Sequence, residues 1–576
     1  MNGMTISDST RQKPLRLWPG IVILALQWLA RFVVPVFVPD ATFYGVLVGV
    51  FGGGIAILVW WLFFSRVPPV ERWGAFLLIL VALFATWKLL HESVETGGMG
   101  MMFPIYVIPG INLVLVAYVA ISSYLADEPR RVILAVGILF AIGIWTLVRT
   151  GGSTGTFNQD FSWRWTETAE ERLVAQGADE PMALPSASAS IETEADWPGF
   201  LGPQRDGIID NVRIETDWST SPPEELWRRA IGPGWSSFAV RGDLLYTQEQ
   251  RGDDEVVACY RVSTGEPVWR HSDLTRFWES IGGAGPRGTP TLSSDRVYTF
   301  GATGILNALK ADDGTVIWSR NAESDTNAKA PYWGFSSSPL VVEDVVIVAT
   351  SGALVAYDLI TGDPRWFGPI GAESYSSPQL LTIDAVPQVL ILNGAGLSSV
   401  RPNDGALLWE HPWPGDPIVQ PVLTADGDIL ISVSESSGIR RLSVALTSDG
   451  WTIQERWTST GLKPYYSEFV VHDGHAFGFN GSILACIDLN DGKLKWKGGR
   501  YGAGQMFLLA DQGLLLLLSE QGELALVEAT PGQHRELTRF PAIKSKTWNH
   551  PVLVGDVLLV RNAREMAAFR LTLAGS

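Results

Sequence analysis

The sequence predicts an all-β propeller of eight four-stranded blades, preceded by an all-α membrane domain of five transmembrane helices. Two observations carry this prediction. A tryptophan placed four residues after a turn glycine returns with a mean period of about 44–45 residues, the signature of stacked supersecondary units. Five apolar runs, each near the ~20 residues that cross a bilayer as a helix, are confined to the first 150 residues.

The clearest repeat is Val355-Ala-Tyr-Asp-Leu-Ile-Thr-Gly-Asp-Pro-Arg-Trp366: a short strand, a turn at Thr361-Gly362, and a second strand carrying an indole. Gly265 before Trp269, Gly314 before Trp318, Gly405 before Trp409 and Gly492 before Trp496 repeat it. Degenerate copies stand at Asp449-Gly450, with Trp457 late, and at Pro531-Gly532, with no Trp. Each repeat opens on a Pro or small-residue cluster such as Ser337-Ser338-Pro339 or Ser376-Ser377-Pro378. A turn and a second apolar run follow, giving four short strands with turn signals every 8–12 residues, the pattern of propeller blades. Eight inner runs are present, from Ser236–Val240 to His550–Val554, but the last lacks a fourth strand. The stretch Glu224-Glu-Leu-Trp-Arg-Arg229 stands before the first blade as an orphan outer strand with the expected indole. It is expected to complete the last blade and remove the open edge.

The apolar runs cover residues 15–38, 43–64, 73–90, 101–125 and 132–148. They define a membrane domain at 15–149 after a cytoplasmic tail, 1–14. Arg11, Lys13, Arg16, Arg66, Arg72, Arg130 and Arg131 flank one side of the spans, against Lys88 and Arg149 on the other. The excess puts the N-terminus in the cytoplasm. Five crossings then place the propeller in the periplasm, with the anchor in the bacterial inner membrane. Arg31 with Gln27 one turn earlier, and His91 with Glu92, are read as interfacial side chains that snorkel, and Gly52-Gly53-Gly54 as close helix packing. Residues 150–196 are a linker with a short helix that starts near Thr166, and 197–576 the propeller.

Beyond residue 150 the chain holds 33 basic against 53 acidic residues. That balance excludes nucleic acid as a partner through its phosphates and argues against flat docking on anionic lipid. Cys259 and Cys486 each lie six residues before a repeat glycine, where Ala308, Ala356, Ser399, Val444 and Leu526 stand elsewhere. Equivalent slots in distant blades are too far apart for a disulfide, so both are expected as buried free thiols. His472-Asp-Gly-His475 spans a hairpin turn and is read as turn chemistry, and no metal site is expected.

The Ala-x-Asp-x-x-Thr-Gly-x-x-x-Trp stretch at 356–366 resembles the tryptophan-docking repeat of quinoprotein (PQQ-type) eight-bladed propellers. Trp197-Pro-Gly-Phe-Leu-Gly-Pro-Gln-Arg-Asp-Gly207, Gly285-Pro-Arg-Gly-Thr-Pro290, Trp333-Gly-Phe-Ser-Ser-Ser-Pro339 and Glu373-Ser-Tyr-Ser-Ser-Pro378 resemble segments of the BamB-like, PQQ-binding-like repeat proteins. That family includes dehydrogenases holding pyrroloquinoline quinone and calcium, as well as inert scaffolds. Spans ahead of such a propeller also resemble the membrane-bound quinoprotein sugar dehydrogenases. The blades here are near-minimal, with few long insertions, and the adjacent-cysteine pair of soluble quinoprotein alcohol dehydrogenases is absent.

A site is expected at the mouth of the axial channel, rimmed by Trp235, Arg287, Trp333, Tyr375, Tyr466, Gln505 and Trp548. These residues either stack and pair a planar anionic cofactor or fill the rim; packing is the preferred reading. The function expected is a membrane-anchored periplasmic scaffold, non-catalytic, bound to the bilayer through its spans and to periplasmic or membrane proteins through the propeller face. The alternative is a PQQ- and calcium-dependent sugar or alcohol dehydrogenase that reduces membrane quinone.

Overall fold

The computed structural model describes residues 16–37, 44–124, 126–155, 158–177 and 194–575. The expected tail, 1–14, and most of the Ser/Ala-rich linker lie outside them. The chain divides into two compact units, Met1–Thr166 and Glu167–Ser576.

The first unit is a helical bundle. Gly45–Phe64, Pro69–Trp87, Met102–Ile121 and Glu128–Leu147 are each long and apolar enough to cross a membrane. The remaining expected run, at 15–38, forms a shorter apolar helix among the described residues, Trp18–Val33. Its last turn, Leu29–Val33, is wound as a π-helix before Val34–Phe37. Pro35 in that continuation has no amide to donate to the preceding turn. Trp61, Val107, Leu115 and Ile138 pack the interior, while Leu77, Phe84 and Phe140 face outward. Two polar pins cross the apolar core. Asn112 Nδ2 donates to Gln27 Oε1 at 3.0 Å. Tyr118 Oη and Arg130 Nη2 donate to the buried Glu71 carboxylate at 2.5 and 2.6 Å. A Cβ on Gly53 would lie 2.9 Å from Gln27, and one on Gly54 2.8 Å from Ile108, so these glycines permit close helix contact.

The segment read as the start of a linker is folded. Val148–Ser153 and Gln159–Trp163 pair as an antiparallel hairpin. Its Phe161 packs edge-on to Tyr106 and Trp145, and Trp163 stacks on Trp165. These ring contacts, made by partly exposed side chains, accompany the pairing of a stretch that contains the flexible glycines Gly151, Gly152 and Gly155. The helix in this region is Ala169–Gln176, capped by Thr168 rather than Thr166. Only Thr168 has a glutamate three residues on, and Glu171 closes a reciprocal capping box with it.

The second unit, among its described residues, forms eight blade sheets ordered from inner to outer strand, besides one two-stranded insert. Blades one to seven each draw four consecutive strands, and blade seven gains Ile208–Ile209 as a fifth. Blade eight takes Val552–Val554, Val557–Arg561 and Glu565–Arg570, then closes with Glu224–Ala230. The orphan strand therefore completes the wheel as expected. Both cysteines are buried and free.

The period of the repeat follows from how blades lock together. Trp227, Trp269, Trp318, Trp366 and Trp457 press on Gly265, Gly314, Gly362, Gly405 and Gly492 of the next blade; a Cβ on these glycines would lie 2.4–2.7 Å from the indole. Their indole N–H groups donate to the carbonyls of Val262, Ala311, Leu359, Pro402 and Leu489, each three residues before the glycine. Trp457 sits late in the sequence because the hairpin Ile439–Thr447/Gly450–Ser459 is longer. Its cross-strand partner is Arg441, whereas Trp366 faces Ala356 and Trp496 faces Cys486. Arg441, not Val444, therefore fills the slot in that blade. Trp409 departs from the pattern, donating to Gln388 of its own blade at 2.6 Å, and a Cβ on Gly450 would meet nothing. Gly405→Ala should therefore cost roughly 2–4 kcal/mol, from overpacking plus a positive φ. Gly450→Ala should cost about 1 kcal/mol, from backbone strain alone. Denaturant unfolding of the two variants would distinguish them, and equal losses would contradict the docking role of the glycine.

Candidate functional site

The residues that precede each inner strand converge on the channel mouth. Trp235 lies 4.8 Å from Trp548 between ring centroids, Trp548 lies 4.8 Å from Tyr466, and Tyr466 lies 5.1 Å from Tyr465. Tyr465 reaches Trp333 at 6.2 Å, and Trp333 meets Tyr375 at 4.7 Å. Five of the seven expected residues thus form one continuous aromatic chain, with Tyr465 as the link from blade six to blade three. Lys546 adds its ammonium over Trp548 at 4.0 Å and over Trp235 at 5.0 Å, a cation–π contact with each ring. Trp548 Nε1 donates to Glu520 Oε1, and Trp235 Nε1 to the Gly282 carbonyl, both at 2.8 Å.

The other two residues are committed elsewhere. Gln505 is buried beneath the rings and donates to the carbonyls of Tyr466 and Trp548. Arg287 Nη2 pairs with Glu279 Oε1 at 3.0 Å, and its remaining N–H groups go to the carbonyls of Trp333, Gly283 and Ala284. Glu279 sits on a small insert between blades one and two, Trp278–Glu279 paired with Gly283–Ala284. That insert bends over the mouth, and no repeat period announces it. Trp333 Nε1 and Gln505 Oε1 are buried without a hydrogen-bond partner among the described residues.

Deeper along the axis the blades hold one another through short polar side chains. The N–H of Ser237 donates to Thr289 Oγ1, that of Thr289 to Ser338 Oγ, and that of Ser338 to Ser377 Oγ, at 2.9–3.0 Å. Ser237 Oγ donates to the His550 carbonyl, joining blade one to blade eight. Ser/Thr-Pro dipeptides supply Thr289, Ser338 and Ser377, whereas Ser237 precedes Phe238. Proline extends the residue before it, and a small hydroxyl fits where eight strands converge. In blade six the position holds Glu468, which accepts from the Gln420 N–H at 3.2 Å. Beside this ring the opening segment reaches blades one, three and seven in turn. Trp197 pairs with Val240, Arg205 donates to the carbonyls of Ser338 and Pro339, and Ile208 pairs with Leu508.

Burial raises the Glu468 carboxyl to about 8, and burial beside Asp273 does the same to Glu255. The folded state therefore keeps both protons at pH values where the unfolded chain, near 4.5, has lost them. Their contribution to stability is complete below about 4.5 and is lost as pH rises to about 8. Glu468→Gln, which keeps an acceptor for Gln420, should raise the melting temperature by several degrees at pH 8.5 and hardly change it at pH 5. An equal shift at both values would contradict the burial of an ionisable acid there.

A planar cofactor held between two rings needs them roughly 7 Å apart, two contacts of ~3.5 Å. The mouth rings stand 4.7–5.1 Å from one another in four of their five contacts. The arginine that would pair a cofactor carboxylate already holds Glu279. Among the described residues, no three His, Cys, Asp or Glu side chains gather as a metal cage; His472 and His475 face each other across a turn. The residues at the mouth do not fit pyrroloquinoline quinone with calcium.

The chain is 23% identical over 366 residues to the outer membrane protein assembly factor BamB of Yersinia pestis, covering 60% of this chain and 78% of that protein. Among solved structures it is similar to BamB from Moraxella catarrhalis, with a TM-score of 0.44, 15% identity, and coverage of 60% and 97%. It is also similar to the quinohemoprotein alcohol dehydrogenase from Comamonas testosteroni, with a TM-score of 0.48, 14% identity, and coverage of 69% and 84%. The family model described as outer membrane protein assembly factor BamB matches residues 220–394 and 388–573, more than half the chain. The chain belongs to that family, that of the BamB-like PQQ-type propellers.

Proposed function

We propose that this protein is a membrane-anchored scaffold whose propeller, held on the periplasmic side of the inner membrane, binds protein partners in the assembly of envelope proteins. The relatives are named as assembly factors. The apolar helices of the first unit supply the anchor, and the excess of arginine on one set of helix ends supports a cytoplasmic N-terminus. The observation that carries the non-catalytic reading is the mouth. Its rings pack on each other and its arginine is neutralised by Glu279, which leaves a packed face rather than a substrate pocket. The dehydrogenase alternative needs those same rings to open and Arg287 to change partners.

The test is direct. Full-length protein incubated with pyrroloquinoline quinone and calcium, then offered sugars and alcohols with an artificial electron acceptor, should reduce no dye. It should also retain no near-ultraviolet cofactor band after desalting. Turnover above the protein-free control would overturn the proposal.

A further inference from the structure

We propose that the groove between the first and second helices of the membrane unit holds one anionic phospholipid of the cytoplasmic leaflet, with Arg16 on its phosphate. The inference rests on the membrane-anchored reading. A cavity of about 670 Å³ is walled by Ile23, Ala56, Val59 and Phe64, floored by Trp60, and rimmed by Arg16. Gly20 makes the floor: a Cβ there would lie 2.6 Å from the Trp60 ring, so only glycine lets the indole lie against the first helix. Trp60 Nε1 donates to the Arg16 carbonyl at 3.0 Å and fixes that residue at the rim.

The axial order matches a lipid. Arg16 precedes the first helix and Phe64 ends the second, so both mark the same end of the bundle. Ile23 lies seven residues beyond Arg16, about 10 Å deeper at 1.5 Å per residue. The polar rim is thus at headgroup level and the apolar walls at acyl-chain level. Charge favours an anion. Arg16 is exposed and has no acidic partner among the described residues. Glu71, the buried acid at the start of the third helix, is already taken by Arg130, Arg131 and Tyr118. Arg72 is spent on the Leu62 carbonyl. Basic pockets between helices on the cytoplasmic side recognise anionic headgroups.

The experiment is lipid retention by the detergent-purified full chain, read by native mass spectrometry with phosphatidylglycerol and phosphatidylcholine as probes. Phosphatidylglycerol should be retained about fivefold better, the contribution of one arginine beside a headgroup. Arg16→Gln should bring it down to the phosphatidylcholine level, and Ala56→Trp, which fills the groove, should reduce retention of both. Melting temperatures near that of the wild type would show that the variants fold. Equal retention of the two lipids by the wild type, or a preference that survives Arg16→Gln, would overturn the proposal. So would lipid binding that begins only when residues 2–13 are deleted, because the tail would then be the occupant. Carbonate extraction of membranes separates the two readings. A chain that resists extraction yet shows no preference refutes the lipid site alone, and a chain that is released refutes the anchor and the site together.

Discussion

Deleting Glu224–Ala230 should abolish the folded propeller rather than merely weaken it. Six registered pairs join this strand to Glu565–Arg570, and without them the third strand of blade eight becomes an open edge at the ring's closing seam. The deletion also removes Trp227, whose indole packs on Gly265 and donates to the Val262 carbonyl at 2.7 Å. Arg228, which reaches the Ala542 carbonyl just past the last strand of blade seven at 2.8 Å, is lost as well. Backbone pairs contribute about 1 kcal/mol each and a partly buried Trp about 2–3 kcal/mol. Together they approach the 5–15 kcal/mol that a whole domain has to spare. Trp227→Ala alone should lower stability by about 2–3 kcal/mol and leave a soluble ring. The check is soluble monomer yield with circular dichroism on heating. A deletion variant that melts cooperatively near the wild-type temperature would rule out closure by this strand.

Arg561→Met should be nearly as damaging, from the inner side of the same seam. Arg561 is fully buried in blade eight. It donates to Thr247 Oγ1, the Gln248 carbonyl and the Gly232 carbonyl, all belonging to blade one or its approach. Burial pulls its guanidinium down to about 10, with the carboxylate of Glu249 opposing that shift. Replacing the guanidinium with an apolar chain of similar length leaves several buried acceptors without donors, at about 1–3 kcal/mol each. It also strips one of the cations facing Glu249, which Arg251 and Tyr260 continue to hold. A loss of about 3–5 kcal/mol is expected by urea unfolding. A change under 1 kcal/mol would mean that the seam does not depend on this residue.

The wheel was legible in the sequence because its locks are local. A glycine and a tryptophan four residues apart encode a turn and its indole, and the orphan Glu224–Arg229 stretch encodes the seam. The slot rule failed only where a longer hairpin moved the partner of Trp457 from Val444 to Arg441. The membrane helices were legible from hydropathy, whereas the π-turn at Leu29–Val33 in the first was not. The hairpin Val148–Ser153/Gln159–Trp163 was hidden by its glycines, although Phe161, Trp163 and Trp165 at alternate positions carried its strand signal. At the mouth, the positions before the inner strands identified the rim, but sequence could not say what the side chains touch. Tyr465 and Lys546 were missed, although each lies within two residues of a rim aromatic. The partner of Arg287 was invisible because Glu279 belongs to an insert outside the repeat.

Thermal unfolding of the full chain with and without saturating pyrroloquinoline quinone and calcium bears most directly on whether the mouth is packed against itself. A ligand that binds the native state at a hundred times its dissociation constant adds about 2.7 kcal/mol, which would be plain in the melting temperature. A mouth whose rings already occupy one another predicts no shift. A rise that tracks cofactor concentration and vanishes in Trp333→Ala would show instead that the rings part to admit a cofactor.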